Sequence, residues 1–200
     1  MATERAMRAE WLVGNDVEAR AALWRILVAV DGEFVPPLST RTSTTTRALA
    51  LASGTAAKSE PHAYYEEMLR QENVMVRVDG AWAGFMSVRP QHEDVAIAAW
   101  CPCNYISTIG VLPAFRRAGV ARRLYRAVID EMSARSRAEW LVTRTWSTND
   151  AHVALLGKLG FAEILRLANH RGEGLDSIYF ARPVQRIEQE GENSRSSSIE

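Results

Sequence analysis

The sequence predicts an α/β domain, a mixed β-sheet with helices packed on both faces. Three observations carry this. Segments with helical spacing of apolar residues alternate with short β-branched runs. Val74, Val76 and Val78 alternate with other residues before Asp79-Gly80, and Trp82–Val88 follows, which is the signature of a tight hairpin. A buried strand, Tyr105–Val111, then runs through a short turn into the most regular helix of the chain.

In chain order, a short opening strand is expected near Trp11–Val13. Residues 16–30 read as a helix capped by Asp16, with Val17, Ala21, Trp24 and Val28 on one face. Asp31-Gly32 breaks it, and two prolines fix the path of Phe34-Val35-Pro36-Pro37. Residues 38–60, rich in Ser, Thr and Ala, read as a long loop with a short helix around Thr46–Leu51; loops of that length in compact domains are usually functional or disordered. Pro61 opens a second helix with Tyr64, Tyr65, Met68 and Leu69 as its buried stripe. Beyond the hairpin, residues 89–102 read as a polar connection. Over residues 117–135, Ala121, Leu124, Tyr125, Val128 and Met132 define the buried face, opposite Arg122, Arg123, Arg126 and Asp130. Trp140–Thr145 is a strand, and residues 149–159 form a short helix closed by Gly160. Phe161–Leu167 and Ser177–Ala181 are final strands around Arg171-Gly172-Glu173-Gly174. One domain is expected over residues 1–183, its region 16–72 shaping an acceptor site, followed by a polar, disordered tail at 184–200.

Composition excludes several classes. Apolar residues make up 47% and charged residues 24%, with zero formal net charge, so no global field recruits nucleic acid or an anionic membrane. The arginines on the long helix are balanced by acidic residues elsewhere. The two cysteines, Cys101 and Cys103, are too few for a zinc site or a disulfide framework, and no metal is expected. No apolar run approaches the ~20 residues of a membrane span, and no secretory core is present, so a cytoplasmic location is expected.

The chemistry lies in Ile109-Gly110-Val111-Leu112-Pro113-Ala114-Phe115-Arg116-Arg117-Ala118-Gly119-Val120-Ala121. A strand enters a turn that opens a helix, and a helix N-terminus offers unpaired N–H groups and the positive end of the macrodipole. A diphosphate fits such a terminus. Gly119 permits close backbone approach, Ala121 keeps the next turn small, and Arg116 and Arg117 add charge. Neither a Walker loop nor a three-glycine dinucleotide fingerprint is present.

This segment resembles motif A of the GNAT superfamily of N-acetyltransferases, an Arg/Gln-x-x-Gly-x-Gly/Ala loop after a Val-x-Pro strand end. The chain has Val111-x-Pro113 and Arg116-x-x-Gly119-x-Ala121. Asn149, then Leu155-Leu156-Gly157-Lys158-Leu159-Gly160-Phe161, resembles the family's second block. The resemblance covers roughly residues 74–181. It implies a mostly antiparallel sheet splayed into a wedge for acetyl-CoA, and acetyl transfer to a primary amine. It implies that Ile109, Gly110 and Val111 pair with the pantetheine arm and that the amides of Arg117, Ala118, Gly119, Val120, Ala121 and Arg122 hold the pyrophosphate. The Val111 amide is then the oxyanion donor, with Asn149 and Lys158 also on the cofactor side. The Tyr that often serves the family as proton donor is replaced by Leu156. His152, one helical turn earlier, is the alternative candidate for catalysis.

No general base is evident; Glu33, Glu66, Glu67 and Asp176 are candidates. For the acceptor, Glu33, Phe34, Arg41, Tyr65, Arg144, Trp146, Arg171 and Asp176 are the candidate contacts. Arg144 and Arg171 suit a carboxylate or phosphate, Asp176 suits an ammonium, and the set points to a small zwitterionic or anionic amine. Expected partners are that small molecule and a second copy of the chain in a homodimer, not nucleic acid or membrane. A peptide or protein N-acetyltransferase and a non-catalytic acyl-CoA-binding regulator are the alternative readings.

Overall fold

The computed structural model describes residues 5–41 and 60–184. Its order is β1 (Met7–Trp11), α1 (Val17–Val30), α2 (His62–Leu69), β2 (Glu72–Val78), β3 (Ala81–His92), β4 (Cys103–Val111), α3 (Val120–Arg135), β5 (Trp140–Trp146), α4 (Asp150–Lys158), β6 (Ala162–Leu167) and β7 (Ser177–Pro183). The strands form one sheet in the order β1-β2-β3-β4-β5-β7-β6. Every neighbouring pair is antiparallel except β4 and β5, which are parallel.

Alternation along the strands divides the core into layers. Val74, Val76, Val78, Met86 and Val88 face α3 and α4, packing on Leu124, Tyr125, Val128 and Leu156. Met75 and Phe85 point the other way, onto Leu23, Ile26 and Leu27 of α1 and Tyr64 and Met68 of α2. A period-two strand buried on both faces gives this result, and β2 is apolar without interruption from Val74 to Val76 for that reason.

Three elements differ from the sequence reading. The buried stripe of α1 is Ala19, Ala22, Leu23, Ile26, Leu27 and Val30, whereas Val17 is 74% exposed. Both sets have helical spacing, but the observed one buries more aliphatic surface, and burial decides. Trp24 lies at the stripe's edge, stacked on His62 at 4.6 Å and edge-on to Tyr65 at 5.1 Å. The opening strand lies upstream of the expected Trp11–Val13, pairing Met7 to Trp11 with Val78 to Val74. Finally, much of the expected 89–102 connection is ordered: β3 continues to His92, and a short 3-10 segment at Val95–Trp100 buries Ile97. The helix expected around Thr46–Leu51 and nearly all of the expected tail lie outside the described residues.

The feature that positions a site is the incomplete pairing of β4 with β5. Their register runs only from Cys103↔Trp140 to Ile106↔Thr143. Beyond Ile106 the strands part, and a cavity of about 390 Å³ opens between them. On its other edge β4 stays paired with β3 up to Gly84↔Val111. The Leu112 amide donates to the Ala83 carbonyl at 2.9 Å. Antiparallel pairs alternate, so Phe85↔Gly110 is the next hydrogen-bonded pair, and Ile109 and Val111 turn their N–H groups toward the open edge.

Gly110 is required by packing. A Cβ there would lie 2.6 Å from Phe85 Cε1 and 3.3 Å from Val30 Cγ2. Overpacking of this kind costs about 1–3 kcal/mol. Gly110→Ala is expected to lose about 2 kcal/mol in a denaturant titration, and an unchanged midpoint would show that Phe85 yields freely.

Candidate active site

The cleft is walled by β4 on one side and by β5 and the start of α4 on the other. Ile109, Gly110 and Val111 line it, opposite Arg144, Thr145 and Trp146, with Asn149 and His152 from the helix. At its mouth the chain turns through Pro113–Phe115 into α3. Arg117 (φ +62°) and Gly119 (φ +89°) both have left-handed backbone, separated by Ala118. This alternation gathers successive N–H groups into a concavity of the anion-binding type. Gly119 is the N-cap of α3 and no side chain caps that end. The first N–H with an intrahelical acceptor is Arg123, to Gly119 O at 2.9 Å. The amides of Val120, Ala121 and Arg122 are therefore the open first turn of the helix.

The two loop arginines differ. Arg116 turns back to the cleft, its Nη2 lying 2.7 Å and 2.5 Å from the Glu33 oxygens and its Nε 3.2 Å from Val111 O. It is neutralised there and ties the 31–41 segment to the end of β4. Arg117 and Arg122 are exposed beside the helix terminus. Lys158 is exposed at the far end of α4, outside the residues that line the cleft.

Leu156, at the position where the resemblance expects a phenol, is fully buried in the core beneath the sheet. A phenol reaches the same helix from α3 instead. The Tyr125 hydroxyl lies 2.7 Å from His152 Nε2, and His152 Nδ1 lies 3.2 Å from Thr145 Oγ1. Asn149 Nδ2 donates to the same threonine oxygen at 3.3 Å. Burial raises the Tyr125 pKa well above the ordinary phenol range, so it stays protonated. Burial lowers His152 from 6.5 to about 4, so its ring is neutral at pH 7. The consistent assignment is Tyr125 O–H donating to Nε2 and Nδ1–H donating to Thr145. Sequence reading placed Tyr125 in the core, correctly, but a helical stripe does not reveal which core hydroxyl meets a histidine of another helix.

This histidine has a measurable signature. The native state rejects a proton that the unfolded chain accepts below pH 6.5. The stability it contributes is complete above that pH, falls as pH drops from 6.5 toward about 4, and then levels off. The ring partly faces the cleft, so the contribution is roughly 2 kcal/mol rather than the full shift. Denaturant midpoints between pH 7 and 4 are expected to fall less steeply in His152→Gln than in the parent. Identical slopes would show that His152 is not the titrating group.

The other candidates divide between the cleft, its surroundings and remote surfaces. Glu33 and Phe34 line the cleft from the 31–41 segment, as do Arg144 and Trp146 from β5. Arg41 is buried and donates to Pro36 O, and Arg171 donates to Val35 O at 2.6 Å and to Ser177 Oγ at 3.0 Å. Tyr65 instead bonds the Arg20 carbonyl at 3.0 Å on the outer side of α1. Asp176 accepts from Asn169 N at 3.0 Å and Arg166 at 3.2 Å, and both hold its pKa low. Of the four carboxylates considered as bases, only Glu33 lines the cleft; Glu67 pairs with Arg89, and Glu66 is exposed. Ser107 and Thr108 line the cleft without having been singled out. Thr108 Oγ1 lies 2.7 Å from the Tyr64 hydroxyl, which brings α2 to the site. Cys101 and Cys103 are free thiols, and among the described residues no cluster of His, Cys, Asp or Glu is placed to hold a metal.

A parallel pair parted at its C-terminal end, beside a glycine-capped helix, is the architecture that the resemblance to acetyl-CoA-dependent N-acetyltransferases implies. The model of the acetyltransferase (GNAT) family matches residues 45–161, and the chain belongs to that family. Acetyl-CoA is its cosubstrate. The N-alpha-acetyltransferase RimI of Mycobacterium tuberculosis is 32% identical over 126 residues, which span 61% of this chain and 73% of that protein. Among solved structures, yncA of Salmonella typhimurium, a putative acetyltransferase determined with its cofactor acetyl-CoA, superposes with a TM-score of 0.63 at 18% identity, covering 92% of this chain and 96% of that one. The ribosomal-protein-S18-alanine N-acetyltransferase of Escherichia coli gives 0.59 at 20% identity, covering 94% and 98%. Among the described residues no helix is long and apolar enough to cross a membrane.

Proposed function

We propose that the chain moves the acetyl group of acetyl-CoA to the primary amine of a small molecule by direct attack on the thioester. The observation that carries the small acceptor is the closure of the cleft's acceptor end. Arg171, from the turn between β6 and β7, bonds Val35 O at 2.6 Å, and Phe34 meets Trp146 with ring centroids 6.1 Å apart. The 31–41 segment and the last hairpin are thereby tied together across that end. Asp31 stiffens the segment by accepting from Ser39 N at 2.7 Å and Ser39 Oγ at 2.8 Å.

The residues divide the work as follows. The amides of the Arg117–Arg122 loop bind the pyrophosphate, with Gly119 allowing close approach. Ile109 and Val111 extend β4 by one strand's worth of hydrogen bonds toward the pantetheine arm, while Gly110 remains committed to β3. Acetyl-CoA supplies the activated acetyl thioester and a thiolate leaving group. Val111 N–H, facing the open edge, stabilises negative charge developing on the carbonyl oxygen. Neutral His152, held by Tyr125 and Thr145, orients polar groups beside the same edge. The incoming ammonium loses its proton through water, with Glu33 the carboxylate that lines the cleft among the described residues.

A second reading, transfer to a protein N-terminus, is favoured by the 32% identity to RimI. An acetyl-CoA consumption assay against small amines, free amino acids and peptides separates the two. Turnover of small amines supports the proposal, and turnover of peptides alone replaces it with the second reading.

A further inference from the structure

Three arginines from distant parts of the chain converge at the closed end of the cleft. Arg41 ends the 31–41 segment, Arg144 stands on β5, and Arg171 lies in the turn before β7. Arg41 sits over the Phe34 ring at 5.6 Å, and Arg171 over the Trp146 ring at 5.4 Å. Those two rings touch each other and line the cleft. Arg144 lines the cleft directly and donates to the Tyr179 hydroxyl at 3.0 Å.

Arg41 and Arg171 bond to neutral partners. Arg41 donates to Pro36 O, and Arg171 to Val35 O and Ser177 Oγ, which are carbonyls and a hydroxyl. Among the described residues neither Arg41 nor Arg171 forms an ion pair with a carboxylate. Residues 42–59, which follow Arg41, contain no Asp or Glu. The cations feel one another: burial, then Arg144 and Arg41, lowers Arg171 to about 9. Gathering like charges in a half-buried site opposes folding unless a ligand balances them. Elsewhere the chain pairs its arginines readily, as in Arg116 with Glu33 and Arg135 with Glu72.

We propose that Arg41, Arg144 and Arg171 form an oxyanion subsite, and that the acceptor is an amine also carrying a carboxylate or phosphate. Guanidinium groups suit such a group because their planar forks match its oxygens. The Phe34 and Trp146 rings hold Arg41 and Arg171 against the cleft wall. The inference rests on the small-amine reading and narrows it to anionic amines.

The test compares matched acceptors: free α-amino acids, their amides, the corresponding decarboxylated amines, and aminoalkyl phosphates. Carboxylated or phosphorylated amines are expected to exceed their neutral counterparts by about 30-fold or more in kcat/KM. In Arg171→Gln that preference is expected to collapse to within about threefold, through KM, while Arg171→Lys retains part of it. Calorimetric coenzyme A affinity reports that each variant is folded. Titration of acetate and inorganic phosphate into protein saturated with coenzyme A gives a readout independent of turnover, and weaker binding is expected in Arg171→Gln. Equal turnover of neutral and anionic amines overturns the subsite and leaves the small-amine reading standing. Acetylation of peptides alone, with no small amine consumed, overturns both.

Discussion

Gly119→Glu is expected to weaken coenzyme A binding by at least about 100-fold, equivalent to about 2.7 kcal/mol, in a calorimetric titration. Two properties of the position cause this. Gly119 has φ +89°, a left-handed conformation that a side chain makes costly by roughly 1–2 kcal/mol. It also precedes the unpaired amides of α3, so a carboxylate there competes with the phosphates for the same N–H groups and repels them. Crowding contributes little, because the nearest atom to a Cβ at this position is Met7 Cε at 3.9 Å. The protein is therefore expected to remain folded, with the melting temperature lowered by a few degrees at most. A carboxylate at a helix N-terminus even recovers part of the backbone strain. Gly119→Ala separates the causes. It carries the strain without the charge and is expected to bind coenzyme A within about tenfold of the parent. A Gly119→Glu variant that binds as tightly as the parent would remove this loop from the cofactor site.

The parts of the fold legible in the sequence are those set by local rules. The β2–β3 hairpin follows from alternating valines and an Asp-Gly turn, and α3 follows from a long, clean stripe. The strand–turn–helix at 109–121 was readable because its strand end, its turn and its capping glycine lie in one stretch of chain. What was hidden depends on contacts between remote segments. In α1, two apolar sets compete, and only the shape of the sheet selects Leu23, Ile26 and Leu27 over Val17 and Val28. Asp176 was attractive for an ammonium because it is acidic and follows a glycine-rich turn. Its partner Arg166, ten residues away across the hairpin, uses it structurally. Arg41 and Arg171 were each visible as a charge in a loop. Their meeting at one end of the cleft required the closure of the whole sheet.

The proton side of the reaction shows the same dependence on remote contacts and gives the second large effect. Leu156 removes the phenol expected on α4, and Tyr125 brings one from α3, 2.7 Å from His152 Nε2. The two are not equivalent. Tyr125 is fully buried and does not line the cleft, so it acts only through His152. His152, lowered to about 4, is too weak a base to take the amine's proton and carries no spare proton for the thiolate. On the proposed reading it is a positioning residue that presents a fixed tautomer, with Nδ1–H at Thr145, beside Asn149 and the open edge of β4. Tyr125→Phe leaves Nε2 without its donor and frees the ring to change tautomer. Turnover is expected to fall about tenfold in kcat, with KM for acetyl-CoA little changed. His152→Gln is expected to lose a similar factor, and the double variant no more than either single one, because the pair acts as a unit. A kcat profile between pH 6 and 9 distinguishes positioning from proton transfer. If His152 only positions, the parent and His152→Gln share the same inflections and differ by a constant factor. If instead the variant loses an inflection, His152 transfers a proton during turnover, and its ring in the working complex must be far more basic than burial alone allows.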